Sequence, residues 1–272
     1  MSDSNDGPIT LRADSLAALA SFLAEREAIT VAAKREAEDV GATLLTSEDW
    51  ELSQFWYDET TARFLATEVS RCAAEAVVTR EGHDSGNIIA AFVSSPSAYK
   101  AYRASGGIPG VRSVLLEYDS RFNVFGEDFV QFDYKNPGAL RDNAPFLLGH
   151  VDVFLIDPPF LNAECLSGFA AAVSLMKRSS SISSSSSLSL PPPLEQPYIL
   201  LASGAVMLLS ARSLLGLRPT RTSIKHAAGR LSNPFALYSN YMRSELGGWD
   251  EEAEGVCASG DGGSGASGIL KQ

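Results

Sequence analysis

Short apolar runs, separated by segments long enough to form crossover helices, limit the fold of this chain more than any other pattern in its sequence. The runs lie at residues 88–93, 111–116, 129–132, 151–156, 198–202, 217–224 (the weakest) and 235–241. Helices are predicted between them at residues 97–104, 161–176 and 205–215. Strands that alternate with helices in this way form a largely parallel sheet covered by helices. The sequence therefore predicts a doubly wound α/β domain.

The segments outside this pattern set the expected domain organisation. Residues 16–38 and 60–76 have apolar side chains at helical intervals, which predicts helices before the sheet. Residues 179–190 are nearly all serine, and such a composition cannot bury enough apolar surface to offset the entropy lost on ordering. We expect a disordered N-terminus at 1–13, a helical extension at 14–80, a main domain at 81–246 with a disordered Ser/Pro-rich insertion at 178–196, and a disordered acidic tail at 247–272.

Charge and cysteine content argue against several classes of protein. The formal net charge of −11 leaves no basic surplus to neutralise phosphates, so nucleic acid is not an expected partner and a basic protein suits the chain better. Cys72, Cys165 and Cys257 are widely spaced and the three histidines are scattered, so neither a disulfide framework nor a metal site is expected. No run reaches the roughly 18 to 20 apolar residues that cross a membrane. These features favour a protein of the cytosol or nucleus.

Polar and acidic residues follow the first three predicted strands, where ligands of open α/β sheets bind. Glu117 can accept both hydroxyls of a ribose, and Asp133 can accept from an adenine amino group that Phe132 or Tyr134 flanks. Each acidic residue, taken singly, has the alternative interpretation of a helix N-cap or turn residue. The cofactor-binding candidates at these strand ends are Ser94, Ser95, Pro96, Glu117, Tyr118, Asp133 and Tyr134.

A more specific signal follows the fourth predicted strand, where the sequence reads Asp157-Pro158-Pro159-Phe160. Two successive prolines fix φ and have no N–H to donate, so their carbonyls and the preceding carboxylate project outward. Such acceptors hold an amino group and aim its lone pair, while Phe160 packs beside the substrate. The alternative is a plain Pro-Pro turn capped by Asp157. We interpret all four residues as the catalytic centre.

Three aromatic residues, Phe55, Trp56 and Tyr57, precede the helical segment at 60–76. In one interpretation they close over the cofactor or line the channel of a cationic amine, which ring faces attract. In the other they anchor an N-terminal helix on the sheet. The residues alone leave both interpretations open.

Together, these motifs resemble the eukaryotic elongation factor 1-alpha lysine N-methyltransferases, a family once labelled N6-adenine-specific DNA methyltransferases because of the Asp-Pro-Pro-Phe tetrapeptide. The resemblance covers residues 16–241, with the serine insertion skipped. Its motifs are residues 54–57 (QFWY), 92–97 (FVSSPS), 116–122 (LEYDSRF), 132–137 (FDYKNP), 157–160 (DPPF) and 233–235 (NPF).

This resemblance implies a class I S-adenosylmethionine-dependent methyltransferase, a Rossmann-like α/β fold with a seven-stranded sheet and an N-terminal helical extension. It implies S-adenosyl-L-methionine as cofactor and a lysine of elongation factor 1-alpha as acceptor, in a monomeric cytoplasmic enzyme without a metal. The glycine-rich loop of the wider superfamily is absent, and Ser94-Ser95-Pro96 stands in its place. The substrate-binding residues it implies are Phe55, Trp56, Tyr57, Asn233 and Phe235.

Lysine is a difficult acceptor, because its pKa of about 10.4 leaves only about one molecule in a thousand neutral at pH 7. We hypothesise that Asp157 orients the amine and receives it with its proton, while the carbonyls of Pro158 and Pro159 fix the direction of attack. Two alternatives keep the same motifs. One is methylation of N6-adenine or another nucleobase amine, which requires base extrusion. The other is an inactive cofactor-binding or interaction protein.

Overall fold

The computed structural model describes residues 56–80, 88–178, 196–227 and 234–258. The helix predicted within residues 16–38, most of the serine insertion, Phe55 and Asn233 lie outside these ranges. Among the described residues, no helix is long and apolar enough to span a membrane, and no group of three or more His, Cys, Asp or Glu side chains is arranged to hold a metal ion.

The described residues form one seven-stranded sheet with the order β3-β2-β1-β4-β5-β7-β6. Strands β1 to β5 pair in parallel, whereas β7 pairs antiparallel with β5 and with β6. The predicted α/β sheet is thus confirmed. The strands are β1 Ile88–Val93, β2 Val111–Glu117, β3 Phe129–Gln131, β4 Val153–Ile156, β5 Tyr198–Gly204, β6 Arg218–Ser223 and β7 Phe235–Ser239.

Helices connect the strands and begin or end at residues suited to those positions. Pro96 opens α2, Asn162 caps α4 by accepting from the Cys165 N–H at 2.8 Å, and Gly216 ends α5 with a φ of 68°. The helices are α1 Glu59–Arg80, α2 Pro96–Ala104, α3 Leu140–Asn143, α4 Ala163–Met176, α5 Leu208–Leu215 and α6 Glu251–Ala258. Short 3-10 segments lie at Ser120–Asp128, Pro137–Ala139, Pro145–Leu147, Ala205–Met207 and Ser244–Leu246.

The core lies against the central strands. Every residue of β1, β4 and β5 is buried, which explains why these strands are apolar runs without alternation. Such strands carry the strongest signal in the sequence because both of their faces are covered.

A buried polar cluster joins α1 to the residues that follow β7. Glu68 is fully buried, accepts from the Tyr241 hydroxyl at 3.0 Å and pairs with Arg243 at 3.4 Å. The Cys72 thiol lies 3.1 Å from the same hydroxyl, and burial raises the pKa of that thiol to about 12. Burial outweighs the lowering effect of the Tyr241 hydrogen bond, so Cys72 is a structural residue with little thiolate.

Residues 247–258 differ from the loose tail expected from their composition. Arg218 forms a bidentate ion pair with Glu254 at 2.7 and 2.8 Å, and its guanidinium lies 4.4 Å from the centre of the Trp249 ring. Trp249 also forms an antiparallel bridge with Thr220 of β6. Composition alone did not reveal this order, because the contacts join residues distant in sequence.

Candidate active site at the switch point of the sheet

The order of the strands reverses between β1 and β4, and the crevice at such a point is where α/β sheets bind ligands. The backbone holds the strand ends in register here. Ser94 N–H donates to Leu116 at 2.8 Å, and Asp157 N–H donates to Val93 at 3.0 Å. Ser94 after β1 and Asp157 after β4 therefore lie at one edge of the sheet, with Glu117 at the end of β2.

The turn after β1 adopts a glycine-like conformation without a glycine. Ser94 has a φ of 53° and is the one non-glycine residue with positive φ in the described part of the chain. Ser95 is fully buried, and its hydroxyl donates to the Leu155 carbonyl at 3.3 Å. The Ser95 side chain therefore joins the turn after β1 to β4.

Glu117 is a buried acceptor at the end of β2. Its carboxylate accepts from the Tyr118 N–H at 2.8 Å, and it is 6% exposed. Burial raises the pKa of Glu117 to about 7, although hydrogen bonds from the Tyr118 and Asp119 N–H groups act to lower it. The Tyr118 side chain is largely exposed beside it. A buried carboxylate at this position has the chemistry that a ribose diol requires.

The loop after β3 rests on α4. Asp133 accepts from the Lys135 N–H at 2.9 Å, so part of its acceptor capacity closes the turn. The Tyr134 ring stacks on Phe169 at 6.1 Å and meets Phe160 edge-to-face at 6.2 Å between ring centres. A Cβ on Gly168 would lie 2.1 Å from the Tyr134 carbonyl oxygen, so only glycine allows α4 to approach this loop. The predicted adenine-site loop thus contacts the predicted catalytic tetrapeptide.

The tetrapeptide itself turns away from β4 over a packed base. Pro158 is buried, whereas Phe160 is 42% exposed at the rim. The next residue, Leu161, packs on Gly204 so closely that a Cβ there would lie 2.7 Å from the leucine Cδ1. The turn is thereby held between the loop after β3 and the end of β5.

Tyr57 lies beside Asp157. Tyr57 is 4% exposed, and its hydroxyl is buried without a hydrogen bond of normal geometry. This hydroxyl is still close enough to lower the pKa of Asp157. Burial has the larger, opposite effect, and with the negative charge of Glu117 it raises the pKa of Asp157 to about 8. Asp157 is surrounded by protein but keeps a partly accessible surface, as expected at the floor of a crevice.

Further aromatic residues extend from Tyr57. The Tyr57 ring lies 4.8 Å from the His226 ring, and His226 lies 4.4 Å from the Phe235 ring. On the other side, Lys100 Nζ lies 5.0 Å from the centre of the Trp56 ring. The structure thus brings Tyr57 and Phe235, two of the predicted substrate residues, into one group with Asp157.

Sequence reasoning missed His226, Lys100 and Gly168. Each belongs to this region only through contacts with residues far away in the chain, and none carries a local motif. The described arrangement can hold an amino group: it has a carboxyl and a phenol hydroxyl at the floor and aromatic faces at the wall.

Comparisons with known proteins give a consistent result. A family model described as "Probable N6-adenine methyltransferase" matches residues 48–243. EEF1A lysine methyltransferase 1 of Gallus gallus is 34% identical over 245 residues, which are 89% of this chain and 98% of that protein. A protein-lysine N-methyltransferase of Caenorhabditis elegans is 35% identical over 246 residues, with the same coverage. Another from Dictyostelium discoideum is 37% identical over 179 residues, 65% of this chain and 73% of that protein.

Proposed function

We propose that this chain, which belongs to the family of the EEF1A lysine methyltransferases, methylates a lysine of elongation factor 1-alpha with S-adenosylmethionine as donor. The observation that supports this most directly is the pair formed by Asp157 and Tyr57, in which a buried hydroxyl without a hydrogen bond of normal geometry lies beside a carboxyl at the switch point. A translation factor as acceptor makes the cytoplasm the proposed location.

The cofactor supplies an electrophilic methyl group on a sulfonium, and the described residues fit it. Glu117 is a buried acceptor for the ribose hydroxyls. The loop with Asp133 and Tyr134 offers an acceptor and a ring for the adenine. Ser94, in its left-handed conformation, would hold the methionine end through its backbone in place of a glycine-rich loop.

Asp157 is proposed to take the proton of the incoming lysine. An ordinary aspartate of pKa about 3.9 is a poor base for an ammonium of pKa about 10.4. Burial raises the pKa of Asp157 to about 8 and so narrows this gap to a few units, each of which is worth about 1.4 kcal/mol. Asp157 and the Pro158 and Pro159 carbonyls would then hold the neutral amine, with its lone pair available to the methyl group that the cofactor would supply.

Tyr57 is proposed to share in binding the amine. Its hydroxyl lies close to Asp157 without a hydrogen bond of normal geometry, so an amine nitrogen between the two groups would give it a well-placed partner. The ring contacts the tilted His226 ring at 4.8 Å, which limits the positions open to the hydroxyl. Phe160, partly exposed at the rim, is placed to pack along the aliphatic part of the lysine.

Label transfer tests this function. Cell extract is incubated with methyl-labelled S-adenosylmethionine and the protein, and the product is divided between nuclease and protease treatment. We expect label in a protease-sensitive band of the size of elongation factor 1-alpha. Label in nucleic acid would favour the nucleobase alternative, and no label would favour an inactive binding protein.

Two variants connect the label to the site. Asp157→Asn should lower kcat by about 10²- to 10⁴-fold, the usual effect of losing a general base, and leave the Kd for the cofactor within about threefold. Asp142→Asn, an exposed carboxylate on α3, is the matched control and should behave as wild type. Wild-type turnover in Asp157→Asn would remove Asp157 from the mechanism.

A further inference from the structure

Three aromatic rings near Asp157 contact one another in succession. The Phe235 ring contacts the His226 ring edge-to-face at 4.4 Å, and the His226 ring contacts the Tyr57 ring at 4.8 Å. The Tyr57 hydroxyl at the end of this row faces Asp157. The three residues come from different parts of the chain, and His226 lies in the middle of the row.

Backbone pairing fixes the contact between Tyr57 and His226. The two residues form an antiparallel bridge, flanked by Asp58 N–H donating to Lys225 at 3.0 Å and Ala227 N–H donating to Trp56 at 2.8 Å. Because these bonds flank the pair and do not join it, Tyr57 and His226 are a non-hydrogen-bonded pair. Side chains approach most closely in such pairs.

The paired segments are also attached to α1. Lys225 N–H donates to the Thr61 hydroxyl at 3.2 Å, and Thr61 N–H donates to the Asp58 carboxylate at 2.7 Å. Ile224 next to this pairing is buried. The backbone of His226 is therefore held against the start of α1, and its ring has Tyr57 on one side and Phe235 on the other.

We propose that His226 is a positioning residue, whose ring between Phe235 and Tyr57 holds the Tyr57 hydroxyl against Asp157. This inference rests on the proposed function and assigns a role to a residue that no motif singled out. Without the His226 ring, Tyr57 loses a packing contact, and its hydroxyl is free to leave the carboxyl. The amine would then meet one oriented partner in place of two.

The role is packing and not charge. Hydrogen bonds from Thr61 lower the pKa of the Asp58 carboxyl, and the charges of Lys225 and His226 lower it further. Tyr57 and Glu117 are among the groups that act on Asp157. A phenylalanine at position 226 keeps a ring and loses the charge, so it separates the two explanations.

The test follows the Asp157 carboxyl by carbon NMR in the cofactor-free protein, with the signal assigned by its loss in Asp157→Asn. A hydroxyl that favours the ionised carboxyl lowers its titration midpoint, so removing it should raise the midpoint. We expect Tyr57→Phe and His226→Ala each to raise the midpoint by about half a pH unit or more, and His226→Phe to restore it. The double variant should go no higher than Tyr57→Phe alone.

Turnover gives a second readout. His226→Ala should lower kcat by about tenfold with an unchanged cofactor Kd, and His226→Phe should recover most of kcat. Phe235→Leu, which removes the ring on the other side of His226, should produce a smaller shift of the same sign and keeps the test open if His226→Ala fails to fold.

An Asp157 midpoint unchanged in His226→Ala, or shifts that add in the double variant, would overturn the inference. Equal losses of kcat in His226→Ala and His226→Phe would also overturn it. The titration needs no acceptor protein. If elongation factor 1-alpha is not the acceptor, wild-type protein would fail to methylate it, but the Asp157 midpoints should still shift as expected.

Discussion

At the scale of single residues, the pH dependence of the reaction follows from Asp157. With the free-enzyme pKa of Asp157 at about 8, the ionised carboxylate increases with pH up to that value, while the lysine stays an ammonium up to about pH 10. At saturating cofactor, log kcat/KM should therefore rise with pH and level off near pH 8. In Asp157→Asn the residual activity requires a neutral lysine and should continue to rise beyond pH 9. A wild-type profile that rises without a break through pH 9 would contradict this role.

The backbone conformation of Ser94 leads to a prediction about stability. Its left-handed backbone costs a side chain on the order of 1 kcal/mol, which glycine avoids, although glycine loses more entropy on folding. Ser94→Gly should therefore change the free energy of unfolding by less than about 1 kcal/mol, whereas β-branched Ser94→Val should lose about 2 kcal/mol or more. Denaturant unfolding measures both. The exposed helical Ser213→Val is the control, expected within about 0.5 kcal/mol of wild type. Equal stability of the Ser94→Gly and Ser94→Val variants would contradict the assigned conformation.

At the scale of elements, the contact between α4 and the loop after β3 should control cofactor binding. Gly168→Ala places a Cβ against the Tyr134 carbonyl, so the helix or the loop must move, at a cost of about 1 to 3 kcal/mol. We expect the cofactor Kd, measured by calorimetry, to rise about tenfold or more. The neighbouring exposed Ser167→Ala should leave the Kd unchanged. Cofactor binding as tight in Gly168→Ala as in wild type would show that this contact does not shape the adenine site.

The strands were largely predictable from the sequence, and the reasons are physical. The apolar run at 88–93 coincides with β1, and the run at 151–156 contains β4, because strands buried on both faces need no alternation to be recognised. The run at 151–156 begins too early, since Val151 forms an isolated bridge with Lys177 and precedes the strand. Short-range pattern thus predicts which strands exist better than it predicts their ends.

The candidate site was predictable only where a motif marks it. The position of Asp157 follows from its strand and two prolines, and the resemblance suggested a role for Tyr57. The pairing of Tyr57 with His226, and of Arg218 with Glu254, depends on tertiary contacts that no local pattern encodes. For that reason the order of residues 247–258 and the role of His226 emerge only from the structure.

At the scale of the whole molecule, the serine-rich insertion should be dispensable for folding and catalysis. Its two flanks attach to adjacent residues: Arg178 N–H donates to Val151 at 2.9 Å, and Tyr198 N–H donates to Asp152 at 2.9 Å. Asp152 also forms a buried ion pair with Arg178 at 2.8 Å. A short Gly/Ser linker in place of residues 180–195 should keep Tm within about 3 °C of wild type, a small fraction of domain stability, with unchanged kcat. A large loss of either would assign the insertion a role in the fold or the reaction.

Peptide mass spectrometry can show directly whether this chain methylates a lysine of elongation factor 1-alpha through Asp157. Purified, unmethylated elongation factor 1-alpha is incubated with S-adenosylmethionine and wild-type, Asp157→Asn or Asp142→Asn protein. We expect one lysine peptide that gains the mass of one or more methyl groups with wild type and Asp142→Asn, and no such gain on this time scale with Asp157→Asn. The proposal would be contradicted if wild-type protein that binds the cofactor left the factor unmodified. Equal methylation by Asp157→Asn would also contradict it.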